Sequence, residues 1–216
     1  MANKNILCSW SGGKDSCFAL IKAIASGYSP KVLLNVLNEE GRISRSHGIP
    51  AKFLHAQAAS AGLPIHLISS SWQAYEENFS KALDELTAQY DLAYAVFGDI
   101  DLQAHRDWEE KICARSGLEA FLPLWKLDRL QLVMQMLESG IETMIVSCNE
   151  TMGERFIGKM VNPELVNELE AMGIDACGEN GEYHTLVLNC PLFSERINAS
   201  VARILKHDGY WFGEIV

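Results

Sequence analysis

The sequence predicts an α/β protein: an open parallel five-stranded sheet with a smaller C-terminal α+β domain. Three observations carry this reading. Short apolar runs rich in β-branched residues alternate with segments of helical period, the pattern of parallel βαβ units. A glycine turn, Ser11-Gly12-Gly13, joins the first apolar run to the first helical one. Beyond Trp125 the alternation stops.

The elements follow in order. Asn5 to Trp10 reads as the first strand and Asp15 to Ser26 as the first helix, with Phe18, Leu20, Ile21 and Ile24 on its inward face. Lys31 to Leu37 is the second strand, and Pro50 to Ala61 the next helix, stopped by Gly62 and Pro64. Further strands are expected at Ile65 to Ser69, Leu92 to Phe97 and Ala120 to Leu124, separated by helices at Tyr75 to Gln89 and His105 to Arg115. A helix at Asp128 to Ser139 and a strand at Thr143 to Ser147 then precede a glycine-rich polar stretch. The expected division is residues 1–125 and 126–216, to which the motifs and the family resemblance described below assign ATP binding and substrate binding respectively.

Composition bounds the function. With 216 residues, 48% of them hydrophobic and 21% charged, the chain can bury a sizeable core. Neither an uninterrupted apolar span nor an apolar leader is visible, so a cytoplasmic protein without membrane partners is expected. Six cysteines without a C-x-x-C pair suggest reduced thiols rather than zinc ligands or disulfides. A net charge of -10 disfavours nucleic acid as a partner, because clustered Lys and Arg dominate such binding.

Ser11-Gly12-Gly13-Lys14-Asp15-Ser16 stands between the first strand and the first helix, where open α/β sheets bind nucleotides. Glycines let bare amides approach phosphate oxygens, the helix N-terminus adds partial positive charge, Ser11 and Ser16 can donate hydroxyls, and Lys14 can neutralise charge. Asp15 beside phosphates implies a divalent metal, Mg²⁺, carried in with the nucleotide. Walker A spacing is absent, and the loop instead resembles the S-G-G-x-D-S signature of the PP-loop ATP pyrophosphatases, which cleave ATP between its α and β phosphates.

A second cluster, Gly98-Asp99-Ile100-Asp101 followed by His105, Arg106, Trp108 and Glu109, lies at the carboxyl end of the fourth strand. It reads as a charged wall over the phosphates, with Gly98, Asp99, His105 and Arg106 on the nucleotide, or as a solvated helix start capped by Asp101. The third cluster, Cys177 to Thr185, combines two glycines with Glu179 and Glu182 ahead of an apolar run. It reads as a substrate loop, and Asn180-Gly181 is also a hairpin signal.

Together with Pro123-Leu124-Trp125 these clusters resemble the diphthine-ammonia ligase family over about residues 5 to 193. The matching runs are Ser11 to Ser16, Gly98 to Ile100, His105 to Glu109, Pro123 to Trp125 and Gly178 to Thr185. The resemblance implies an adenine-nucleotide hydrolase-like fold and an ATP-dependent amidoligase. A small-molecule or protein-borne carboxylate is adenylated with release of pyrophosphate, and ammonia then forms the amide. It implies catalytic roles for Lys14, Asp15, Glu179, Glu182 and His184, the last three in recognising substrate or deprotonating ammonium. In diphthamide-making members the final motif reads nearer E-G-G-E-[FY]-E-T, so Asn180 and His184 replace a glycine and a carboxylate. That departure keeps open a sibling acid, such as a cobalamin precursor. A PP-loop tRNA thiolase and a non-catalytic ATP-binding switch are the rival classes, and Arg42, Arg45 and His47 mark a reserve location for the substrate site. The ammonia donor and a homodimeric state are left open.

Overall fold

The computed structural model describes residues 3–216. Five strands, β1 (Asn5–Ser9), β2 (Ser29–Leu37), β3 (Ile65–Ser69), β4 (Tyr94–Val96) and β5 (Glu119–Phe121), form one sheet in the order β3-β2-β1-β4-β5. All four neighbouring pairs are parallel. The strand order reverses direction at β1, which opens a crevice beyond the carboxyl ends of β1 and β4. Five helices accompany these strands: α1 (Lys14–Ala25), α2 (Ala51–Ser60), α3 (Tyr75–Tyr90), α4 (Gln103–Arg115) and α5 (Arg129–Glu138).

Because side chains alternate across a strand, each central strand feeds both faces of the sheet. Leu7, Val32, Leu34 and Ala95 pack with Phe79, Leu83 and Leu86 of α3 and Ile112 of α4. On the opposite face Ile6, Cys8 and Leu33 pack with Leu20 of α1 and Leu54 of α2, and this core continues without a break into Ile145, Leu186 and Val187 of the second sheet.

The second sheet contains β6 (Glu142–Asn149), β7 (Tyr183–Asn189), β8 (Val201–His207) and β9 (Tyr210–Ile215) in the antiparallel order β7-β6-β9-β8. Helix α6 (Pro163–Ala171) lies between β6 and β7 in sequence. Local chemistry explains several of its boundaries. Asp128 caps α5 by accepting from the amide of Gln131 at 2.9 Å, and Asn162 caps α6 by accepting from Leu165 at 2.8 Å, with Pro163 opening the helix. Asp208 and Gly209, at φ 46° and 80°, turn the β8–β9 hairpin.

Several expectations change. The strands expected over Leu92 to Phe97 and Ala120 to Leu124 shorten to three residues each, because only those residues find ladder partners. Helix α6 and the β8–β9 hairpin lie beyond Ser147, in stretches to which the sequence reading assigns neither helix nor hairpin. Asp101 does not cap α4: the cap position is Leu102, and the Asp101 carboxylate binds the Arg129 guanidinium at 2.7 and 2.9 Å. Asn180-Gly181 turns the chain without making a hairpin, since residues 175–182 form consecutive turns with no strand before them, and β7 pairs with β6. Among the described residues no helix is long and apolar enough to cross a membrane.

Candidate active site

The phosphate loop follows β1 and leads into α1, whose first residue is Lys14 and whose cap residue, Gly13, is extended at φ -94° and ψ 176°. Its amides are not bare, as they read from sequence. Gly13 donates to Ser11 Oγ at 3.2 Å, Ser11 to Ser16 Oγ at 3.3 Å, and Lys14 to Thr185 Oγ1 of β7 at 3.1 Å. The two serine hydroxyls lie 3.0 Å apart and brace the loop from inside. A ligand phosphate would exchange these side-chain hydroxyls for its own oxygens.

Behind the loop, Gln57 of α2 is fully buried and ties both sheets to it. Its Nε2 donates to Gly12 O at 3.0 Å and to Val187 O at 2.7 Å, while its Oε1 accepts from Trp10 Nε1 at 2.9 Å. The amide of Val187 returns a bond to Gly12 O at 2.9 Å. On the other flank Gly98 lets the end of β4 touch the loop: a Cβ there would stand 2.8 Å from Asp15 C and Ser16 N.

All three sequence clusters meet around one cavity of about 710 Å³. The loop contributes Ser11, Lys14, Asp15 and Ser16, the end of β4 Gly98 and Asp99, helix α4 His105, Trp108 and Glu109, and the turns before β7 Cys177, Gly178 and Glu179 together with His184. Within the loop Gly12 and Gly13 are buried and do not line the cavity, and neither Arg106 nor Glu182 reaches the cavity lining. Arg106 instead pairs with Glu110 at 2.6 Å and stacks over Trp125. Glu182 braces its own turn, accepting from the Asn180 amide at 3.0 Å and the Asn180 side chain at 3.1 Å.

Lys14 is 2% exposed, and its ammonium donates to Cys177 O at 2.5 Å and Asp15 Oδ2 at 2.9 Å. Burial opposes its charge, but Asp15, with Tyr183, Cys177 and Glu179, outweighs burial and raises its pKa. Burial also raises the pKa of Asp15 against the pull of Lys14, and Asp15 Oδ1 is buried without a partner. That orphaned oxygen, in a crevice that would receive phosphates, fits a magnesium ion held jointly by one carboxylate and a nucleotide. No cluster of three or more ligating side chains exists among the described residues, so the phosphates would have to supply the rest of the shell.

The acidic groups differ in state. Asp99 meets His105 Nδ1 at 2.7 Å; its burial is outweighed by the bonds to His105 and Glu109, which hold its pKa below the usual value, while the same bond raises that of His105. Burial and the neighbouring Asp99 push Glu109 up to about 11. Burial and Asp15 push Glu179 up to about 8. His184 is lowered to about 4 by burial and by Lys14.

A wall of the cavity that sequence reasoning missed consists of Trp72, Tyr75 and Phe97, and His47 stands beside it. Trp72 is 67% exposed, stacks on Tyr75 at 5.8 Å between ring centroids and receives the Arg45 guanidinium on its ring at 4.9 Å. His47 was reachable only as a reserve position, because the link between β2 and α2 carries no motif. The turn bearing Glu179 is fixed from below by Arg129, which binds Asp175 at 2.6 Å and Asn180 at 3.3 Å as well as Asp101.

A diphthamide synthase N-terminal domain model matches residues 4–120, and a diphthamide synthase C-terminal domain model matches residues 128–215. The chain belongs to the diphthamide synthase family. It is 27% identical to the diphthine–ammonia ligase of Homo sapiens over 231 residues, covering 95% of this chain and 86% of that protein. To the Danio rerio enzyme it is 29% identical, covering 95% of this chain and 90% of that one. The Schizosaccharomyces pombe relative is 28% identical and much longer, and the match spans 92% of this chain but 36% of that protein. For a member of the diphthamide synthase family, the phosphate loop, the end of β4 and the turns before β7 thus occupy one crevice.

Proposed function

We propose that the chain is an ATP-dependent ligase that adenylates a protein-borne carboxylate, releases pyrophosphate and joins ammonia to the acyl group, acting on diphthine as its relatives' names indicate. The observation that carries this reading is the convergence of the S-G-G-K-D-S loop and the Glu179 turn on one cavity of about 710 Å³, large enough for a nucleotide beside an acceptor. Two separate pockets would have supported a switch instead.

The residues divide the work. Lys14 stays charged and, fixed by Cys177 and Asp15, offsets charge developing on the leaving pyrophosphate. Asp15 would hold Mg²⁺ through its free oxygen; the ion, when bound, neutralises phosphate charge and polarises the α-phosphate. Glu179, with a pKa of about 8, is suited to taking a proton from ammonium near neutral pH, because a base works best when its pKa lies near the operating pH. His184, at about 4, is too weak a base for that step, and Glu182 stabilises the turn instead. Asp15, Asp99 and Glu179 provide carboxyl groups for a cationic substrate although His184 replaces one.

Thiolation of tRNA is disfavoured by the thiols themselves. All six cysteines are buried, and Cys177, the one on the cavity, is pushed up to about 12 by burial. The deciding experiment supplies MgATP and ammonium with a diphthine-bearing protein, and in parallel with free carboxylic acids including corrinoid precursors. AMP, pyrophosphate and a mass change of the acceptor consistent with amidation are expected from the protein substrate. ADP and phosphate as coupled products, or turnover confined to a free acid, would overturn the respective part of the reading.

A further inference from the structure

His47 and His184 come from distant parts of the chain, one from the link between β2 and α2 and the other from β7, and their rings face each other at 4.5 Å with 41° between planes. The pair lines the cavity directly over the phosphate loop: a Cβ on Gly13 would lie 2.7 Å from His47 Nε2 and 3.1 Å from Thr185 O. His47 Nδ1 is buried with no hydrogen-bond partner. An orphaned ring nitrogen is costly in a protein interior, and a ligand group that pairs with it removes that cost.

We propose that His47 and His184 form a two-imidazole anion site that binds a phosphate group of the nucleotide above Gly13 and takes up a proton from solvent as it does so. This rests on the reading that the loop binds ATP. The groups facing the pair make the proton uptake specific to the bound state. Burial first, then the His184 ring and Lys14 of α1, disfavour imidazolium at His47, while burial and then Lys14 disfavour it at His184. The carboxyl groups that share the cavity, Asp15, Asp99, Glu109 and Glu179, belong to the loop, the end of β4, α4 and the turns before β7, and none of them is among the groups that shift either ring. A polyphosphate entering between Lys14 and the imidazoles offsets the Lys14 field and places anionic oxygens against N–H groups, which favours the imidazolium form. The covalent bookkeeping is one N–H bond formed on one ring, with the proton drawn from water or buffer. The site also selects for the ligand: it favours a triphosphate or pyrophosphate over an uncharged nucleoside.

The test is calorimetric titration with MgATP, Mg-pyrophosphate and adenosine, each in two buffers of different ionisation heat, at about pH 6 and about pH 8, values on either side of the ordinary imidazole range. The wild type is expected to take up roughly half to one proton more than His47→Gln or His184→Gln on binding pyrophosphate at about pH 6, with the excess vanishing at about pH 8. Affinity should fall about tenfold more in the variants at the lower pH, which corresponds to one unit of pKa change. Adenosine should show no excess. Since a variant can misfold, the wild type is also followed by carbon-13 NMR of its histidine rings, where pyrophosphate at about pH 6 should move one buried resonance toward the imidazolium position. Binding of MgATP with equal proton uptake in wild type and variants and unmoved ring resonances would overturn this inference alone. Failure of the wild type to bind either MgATP or pyrophosphate would overturn the loop assignment with it.

Discussion

The ammonium of Lys14 donates to the carbonyl oxygen of Cys177 at 2.5 Å, tying the first residue of α1 to the turn that carries Glu179. One buried cation thereby couples the Ser11–Ser16 loop to the Glu179 turn, and Asp15 completes its shell at 2.9 Å. Replacing Lys14 with Met leaves a half-buried carboxylate and a buried carbonyl unpaired. Urea unfolding should show a loss of about 3 kcal/mol, in the range for breaking a buried charge pair, together with loss of ATP binding. A variant of parental stability would mean the lysine contributes nothing to joining the two regions.

Gln57 satisfies Trp10, Gly12 and Val187 at once from a site with no solvent access. Gln57→Leu keeps the volume but orphans an indole N–H and weakens the satisfaction of two carbonyls. A destabilisation of about 2 to 4 kcal/mol is expected, measured as the shift in denaturant midpoint at constant slope. A loss below about 0.5 kcal/mol would show that the loop is held by packing alone.

Gly98 is required by distance rather than by dihedral angle. The methyl of Gly98→Ala would meet the backbone of Asp15 and Ser16 at 2.8 Å, so the phosphate loop must shift. MgATP affinity should fall at least about tenfold, or about 1.4 kcal/mol, while Gly62→Ala, with open space around its Cβ but a φ of +67°, should cost stability and leave affinity intact. Equal affinities in the Gly98 variant and the parent would count against contact between this loop and phosphate.

Glu179 gives the site its pH dependence. Its pKa is raised from 4.5 to about 8, so the folded state holds a proton that the unfolded state has lost across that window. Its contribution to stability is therefore fully present below about pH 4.5 and fades as pH rises through about 8. The stability difference between wild type and Glu179→Gln should change in that direction across pH 5 to 9, read by thermal or urea unfolding at each pH. Ionisation near pH 8 also adds negative charge to a phosphate site, so MgATP affinity of the wild type should drop above that value and that of the Gln variant should not. A flat difference profile would place the Glu179 carboxyl in water.

The sequence by itself determined the parallel sheet and the site's polar inventory. Apolar runs at residues 5–10 and 31–37 and the helical period after Asp15 are local signals, and the chemistry of Ser11 to Ser16, Asp99 and Glu179 is a property of the residue types in order. The β8–β9 hairpin carried a local signal too, in Asp208-Gly209, yet its exposed strand lacks the apolar alternation that marks a half-buried one. Tertiary structure alone decided which of these groups meet. Glu182 and Glu179 are alike in sequence, but the Arg129 bonds to Asp175 and Asn180 orient the turn so that Glu179 faces the cavity and Glu182 bonds back to Asn180. His47 has no neighbour in sequence that marks it, and becomes part of the site only because Gln57 and Thr185 hold β7 against the loop and bring His184 to it. Pattern along a chain encodes which surface an element buries, whereas protonation and pairing depend on what burial places within a few ångströms, and that distance is set only when both sheets close on α1.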